Sequence, residues 1–164
     1  MILIIAEKPS LARNICAGIG KMQKKDGYFE GNGYLVSWAL GHLFQLYDIE
    51  DYTENHDAKW SMDNLPFYPE KFKYKLRTKG REHVVDSGVA RQFSIIESLC
   101  NRPDVEKIVN AGDADREGEI IIRLCIMSAL KSEKPLGRLW VTDQTRATVA
   151  KQLAEMKPQS DYDP

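Results

Sequence analysis

Apolar residues open this chain without interruption: "MILIIA" runs to Ala6 before Glu7 breaks it. A short run with no alternation fits a strand buried on both faces, as in a parallel sheet. Leu11, Ala12, Ile15 and Ile19 follow at helical spacing, with Ser10 the expected N-cap and Gly18 or Gly20 the expected stop. "FEGNGYLVSWAL" sets an Asn-Gly turn between two apolar or aromatic runs, a hairpin signal. Residues 45–70 are irregular, aromatic and proline-containing, and Trp60, Leu65, Phe67 and Tyr68 are expected to pack inward. In "KFKYKLRTKGR", Lys71, Lys73, Lys75 and Arg77 share one parity and Phe72, Tyr74 and Leu76 the other, which predicts one strand with a basic face and an apolar face. A helical rhythm runs from Glu82 to Asn101 through Val85, Val89, Phe93, Ile96 and Cys100. Next come a strand ("VEKIVNA"), a helix ("EIIIRLCIMSAL"), a strand ("GRLWVT") and a last helix from Thr145 to Met156, with no structure of its own expected for "KPQSDYDP". Trp38 and Trp140 fall in apolar strands and read as core. Helices alternating with short apolar strands imply an α/β fold: a mostly parallel, Rossmann-like central sheet with helices on both faces, plus a small hairpin and edge-strand insertion.

Composition narrows this picture only slightly. At 164 residues, 43% hydrophobic and 29% charged, the chain has room for one globular domain with a real core. A net charge of −1 excludes polyanion binding by bulk electrostatics, so any nucleic-acid contact needs a local basic patch. Lys71, Lys73, Lys75, Arg77, Lys79 and Arg81 offer one, and they fit phosphate tracking and protection of an edge strand equally well. The cysteines, Cys16, Cys100 and Cys125, are odd in number and form no CxxC pair, which points to reduced thiols in the cytosol. His42, His56 and His83 are scattered, do not suggest zinc, and read as structural or surface residues. The N-terminal apolar run is too short for a signal segment or membrane span, so the expected location is the cytoplasm.

The unusual feature is "VNAGDADREGE", where Asp113, Asp115, Glu117 and Glu119 crowd four acids into seven residues between two apolar runs. Like charges at such a seam need a cation, a proton or a helix terminus to compensate them. Ligands in a doubly wound sheet bind beyond the carboxyl ends of the strands. If the first strand and the strand before Asp113 are neighbours, Glu7, Asp113 and Asp115 meet at one edge. The N-terminus of the following helix offsets part of the repulsion, and Mg2+ is the natural remainder. A solvated, capped turn explains a DxDxE run equally well on this evidence alone. A calcium loop fails, because its twelfth position is Leu124 and a strand precedes it.

Taken together, "IIAEKPSLARNI", "GNGYLVSWALGHL", "KWSMDNLPFYPEKFKYKLR", "VNAGDADREGE" and "WVTDQT" resemble, in this order, the N-terminal Toprim domain of type IA DNA topoisomerases, the bacterial topoisomerase III branch in particular. The resemblance spans essentially the whole chain and implies a Toprim domain over 1–157. Residues 158–164 are then a linker into downstream domains, and the chain is a fragment. It implies cleavage, passage and religation of single-stranded DNA through a 5′-phosphotyrosyl link, in a nucleoid-associated cytoplasmic enzyme. Carried over by position, Glu7 is a catalytic acid and a metal neighbour, while Asp113 and Asp115 hold Mg2+ with Glu117 supporting. Lys8 contacts the scissile phosphate; Arg116, Lys59 and Trp60 are further DNA contacts. None of the seven tyrosines stands in a nucleophile motif, so the fragment is expected to be a monomer that relaxes no DNA. Two alternatives compete: a stand-alone Toprim nuclease or primase-type domain, against which "WALGHL" and "LPFYPEKF" speak, and a receiver-like signalling domain, which Lys8 after Glu7 fits poorly.

Overall fold

The computed structural model describes residues 1–53, 59–80 and 84–162. The expectations for His56, Arg81, Glu82 and His83 fall outside them. In chain order the elements are β1 (Ile2–Ala6), α1 (Pro9–Ile19), β2 (Gln23–Lys25), β3 (Tyr28–Gly31), β4 (Tyr34–Trp38), β5 (Phe44–Leu46) and α2 (Ile49–Tyr52). A 3-10 turn at Met62–Asn64 precedes β6 (Tyr74–Leu76), β7 (Thr78–Lys79), β8 (Val84–Val85), α3 (Ser87–Cys100), β9 (Lys107–Ala111) and α4 (Arg116–Ala129). β10 (Leu136–Arg138), α5 (Arg146–Ala154), β11 (Lys157–Pro158) and a 3-10 turn at Gln159–Tyr162 follow.

Seven strands form one sheet in the order β11-β10-β9-β1-β4-β3-β2. Its centre, β10-β9-β1-β4, is parallel, and antiparallel pairs extend it at both edges. The alternating pleat of the central strands explains the unbroken apolar runs. Leu3, Ile5, Leu35 and Ile108 point to one face, under residues of α3 and α4. Ile4, Ala6, Val36, Val109 and Ala111 point to the other, against α1 and Val149 of α5. Covering both faces buries every central side chain.

The Asn32-Gly33 hairpin forms as expected, with positive φ at both residues. Gly20 caps α1. Four local expectations need correction. First, the N-cap of α1 is Lys8 rather than Ser10, because Pro9, with its φ fixed and no N–H to satisfy, takes the first helical position. Second, the basic stretch is two short strands in separate two-stranded sheets. Lys75 pairs with Asp51, and Arg77 and Lys79 with Asp86, while Phe72 and Tyr74 face solvent. Third, Trp60, Leu65 and Tyr68 are exposed, not packed inward; Trp60 lies edge-on to Phe67 and Phe67 contacts Tyr52. Fourth, α3 begins at Ser87, because Asp86 accepts hydrogen bonds from the Gly88 and Val89 amides and so caps the helix. The tail also departs from expectation: β11 pairs with β10 and the last turn packs back on the domain.

Candidate functional site

The register of β1 against β9 builds the site. Ile2 to Ala6 pair with Lys107 to Ala111 one for one, so Glu7 and Lys8 leave the sheet beside Gly112 and Asp113. The loop after β4 crosses the same edge, with the Ala39 amide on the Ala6 carbonyl and the Gly41 amide on the Glu7 carbonyl. Glu7 Oε2 accepts the Asp113 amide at 3.2 Å. Asp115 Oδ1 accepts the Gly118 amide at 2.7 Å and caps α4. Lys8 Nζ donates to Asp113 Oδ2 at 2.5 Å, and that hydrogen bond holds the ammonium pKa above its ordinary value. Much of the compensation that the acids require therefore comes from a lysine and a helix terminus.

Two glycines allow the loop to lie on the helix. A Cβ on Gly112 would stand 2.1 Å from the Gly118 carbonyl oxygen, and one on Gly118 would stand 2.5 Å from the Asp113 nitrogen. Neither position admits a side chain without backbone movement.

Arg138, 1% exposed on β10, supports the loop from below. Its guanidinium donates to the carbonyls of Asn110, Gly112 and Leu139 through Nη1 and to that of Asp113 through Nη2, at 2.9–3.2 Å. Nε forms an ion pair with Glu119 Oε2 at 2.8 Å, with its N–H off the line to the oxygen. Burial pulls this guanidinium below its ordinary pKa, opposed by Glu119. Glu119 also accepts from Asn110, Arg123 and Gln159, so the fourth acid of the cluster is half-buried and engaged in a network rather than offered to a ligand. Sequence reasoning counted Glu119 among the crowded acids without giving it a role and did not single out Arg138, although a lone arginine in the apolar run "GRLWVT" is a visible signal.

Exposed Arg116 and Glu117 line an open groove with His42, Asp115 and Ile120, of about 570 Å3. His42 Nε2 lies 3.7 Å from Glu117 Oε1, which gives this histidine a place at the rim that its spacing did not reveal. Lys59 and Trp60 are not among the groove-lining residues; the Trp60 indole N–H donates to Asp48 Oδ1 at 2.6 Å.

The donor set suits a hard divalent cation: Glu7, Asp113, Asp115 and Glu117 offer only carboxylate oxygens. Among the described residues Glu7 Oε1, Asp113 Oδ1 and Asp115 Oδ2 accept no hydrogen bond. No three such residues are gathered tightly enough to enclose an ion, again among the described residues. Mg2+ does not require that, since it is commonly held by one or two carboxylates and several waters.

Comparison with known proteins places the chain. A family model for the Toprim domain matches residues 2–143. The chain is 38% identical to the protein named DNA topoisomerase 3 of Bacillus cereus over 161 residues, which cover 98% of this chain and 21% of that relative. The proteins of the same name from Staphylococcus epidermidis and Shouchella clausii are 38% and 37% identical over 160 residues, 98% of this chain and 21% and 20% of theirs. The chain thus spans about a fifth of the length of the curated relatives it matches. Among the described residues, no helix is long and apolar enough to cross a membrane.

Proposed function

Because this chain belongs to the Toprim domain family, as a Toprim domain of the type IA topoisomerase kind, we propose that it supplies the Mg2+-binding acidic site of a DNA topoisomerase III. That enzyme cleaves, passes and religates single-stranded DNA through a 5′-phosphotyrosyl link, and the attacking tyrosine comes from outside residues 1–164. The downstream topoisomerase domains are the partners, and the work is done on the nucleoid in the cytoplasm. This domain alone is a monomer without relaxation activity. The observation that carries the proposal is the β1–β9 register, which sets Glu7-Lys8 beside Gly112-Asp113 at one strand edge.

In this reading Asp113 and Asp115 would hold Mg2+, with Glu7 as a metal neighbour and Glu117 in support, and the chemistry supplied there would be neutralisation of phosphate charge. Lys8, with three donors on its ammonium, can keep Asp113 and take a phosphate oxygen as well. That point charge stabilises negative charge developing on the phosphate. Glu7 uses Oε2 on the Asp113 amide, which leaves Oε1 to carry the proton for the leaving 3′ oxygen. Arg116, exposed on the groove, contacts the DNA backbone, and Lys59 with the exposed Trp60 ring adds a more distant contact by base stacking.

The test is a Mg2+ titration of the 164-residue chain followed through its amide resonances, beside the Asp113→Asn/Asp115→Asn variant. Saturable shifts confined to Glu7 and residues 112–118, absent in the variant, are expected. Unchanged wild-type spectra at millimolar Mg2+, or shifts that survive in the variant, overturn the metal assignment.

A further inference from the structure

The acidic loop is tied to the far end of the chain through a buried network. Where β9 gives way to the loop, the Arg138 guanidinium donates to the carbonyls of Asn110, Gly112 and Asp113, adding to the Leu139 amide on the first and the Asp115 amide on the last. Arg138 is itself held by three contacts that originate in residues 157–162. β11 pairs Lys157 with Arg138 along the backbone. Gln159, 8% exposed, donates Nε2 to Glu119 Oε1 at 2.8 Å, the carboxylate that pairs with Arg138. Tyr162 stacks on Trp140 with ring centroids 5.2 Å apart and planes 14° from parallel, and the guanidinium lies over the other ring system's π cloud, 4.6 Å from the Trp140 centroid.

We propose that Arg138 is a positioning residue for the acidic loop, and that the C-terminal turn Gln159–Tyr162 keeps it in position. A change at the turn is thereby passed to the backbone that carries Asp113. Each link is a direct contact within a packed, charged network, which provides a physical route for coupling. The turn reaches the network through Glu119 and Trp140, so docking or release of the turn sets how firmly the loop is held. The consequence for metal binding rests on the function proposed above; the coupling itself does not.

Four loop amides report the coupling without any metal, because each has a hydrogen-bond acceptor inside the site. Gly112 donates to Asn110 Oδ1, Asp113 to Glu7 Oε2, Asp115 to the Asp113 carbonyl and Gly118 to Asp115 Oδ1. Hydrogen exchange is to be measured on the metal-free 164-residue chain. In Gln159→Ala/Tyr162→Ala these amides are expected to exchange about tenfold faster than in wild type. Tyr162→Phe, which keeps the ring stack, should restore wild-type rates. Arg138→Lys, which keeps the charge but loses the planar fork, should speed the same four amides. Val149→Ala, which loosens the packing of α5 on α1 without touching Arg138, Glu119 or the turn, controls for general destabilisation and should leave them no faster than the rest of the chain. Unchanged loop exchange in the tail variant, or equal acceleration in Val149→Ala, overturns the proposal. Mg2+ titration of the same variants is then read separately: an absence of binding in wild type counts against the metal site and not against the coupling.

Discussion

Gly118→Ala is the sharpest test of how the loop and α4 fit together. Gly118 is the third residue of a 14-residue helix, and replacing a helical glycine by alanine ordinarily gains up to about 1 kcal/mol. Its φ is not in the left-handed region, so alanine meets no backbone penalty there. The contacts decide the sign. A Cβ at this position would stand 2.5 Å from the Asp113 nitrogen, 2.6 Å from the Asp113 oxygen and 2.8 Å from Glu7 Oε2. Two of these are backbone atoms, which cannot swing aside as a side-chain tip can. Overpacking of this kind costs about 1–3 kcal/mol, and separating the Asp113 amide from Glu7 costs about 1 kcal/mol more. The net expectation is destabilisation of about 1–3 kcal/mol, or about 2–4 °C in Tm for each kcal/mol in a domain of this size. Gly137→Ala is the control: its Cβ would meet the end of Lys107, at 2.6 Å from Cε, which can move away cheaply. Urea unfolding by circular dichroism reads the stability, and amide spectra read the loop. A Gly118→Ala protein as stable as wild type, with the Asp113 amide unmoved, would refute the close-approach argument.

Two further outcomes follow from the electrostatics. The Lys79 ammonium, followed by the helix amides, holds the Asp86 carboxyl down at about 2; its folded pKa lies below the unfolded value, so its stabilising effect is complete above about pH 3.9 and fades as pH falls through 2. Asp86→Asn should therefore narrow its stability deficit against wild type as pH drops from 4 to 2, and a constant deficit across that window in acid unfolding curves would show that the carboxylate charge is not what matters. Lys8→Met removes the ammonium from Asp113, and at about 1 kcal/mol for a unit charge at contact in a water-like surrounding it should tighten Mg2+ about fivefold by calorimetry; weaker binding in that variant would mean that Lys8 does not compete with the ion.

The parallel core was legible because its strands are buried on both faces, so "MILIIA" is apolar throughout and "KIVNA" buries Ile108, Val109 and Ala111. Neighbouring placement of β1 and β9 then put Glu7 and Asp113 together, which the sequence framed only as a condition. The basic stretch misled because its period of two is genuine, yet Lys75 is claimed by Asp51 and both Arg77 and Lys79 by Asp86, and these acids lie on different elements. No local pattern could reveal that. Ser10 was misplaced as a cap because Pro9 decides the register of the first turn. The tail looked inert since Gln159 and Tyr162 are ordinary polar-chain residues whose partners, Glu119 and Trp140, are 40 and 22 positions away. Arg138 was the one overlooked residue with a local signal, since one arginine inside an apolar run asks for a partner.

Crowding of the acids is resolved residue by residue rather than by one ion. Asp113 is met by Lys8, Asp115 by the Gly118 amide of the helix it caps, and Glu119 by Arg138, Arg123 and Gln159. Glu117 stays exposed near His42. The metal-free cluster is therefore electrostatically tolerable. On the proposed function that has a direct consequence for the order of events. Mg2+ arriving alone must share Asp113 with an ammonium. A phosphate arriving beside it offers Lys8 a second anion, which relieves the competition. Metal and DNA backbone should then bind more tightly together than either does alone, and Lys8 is the residue through which each favours the other.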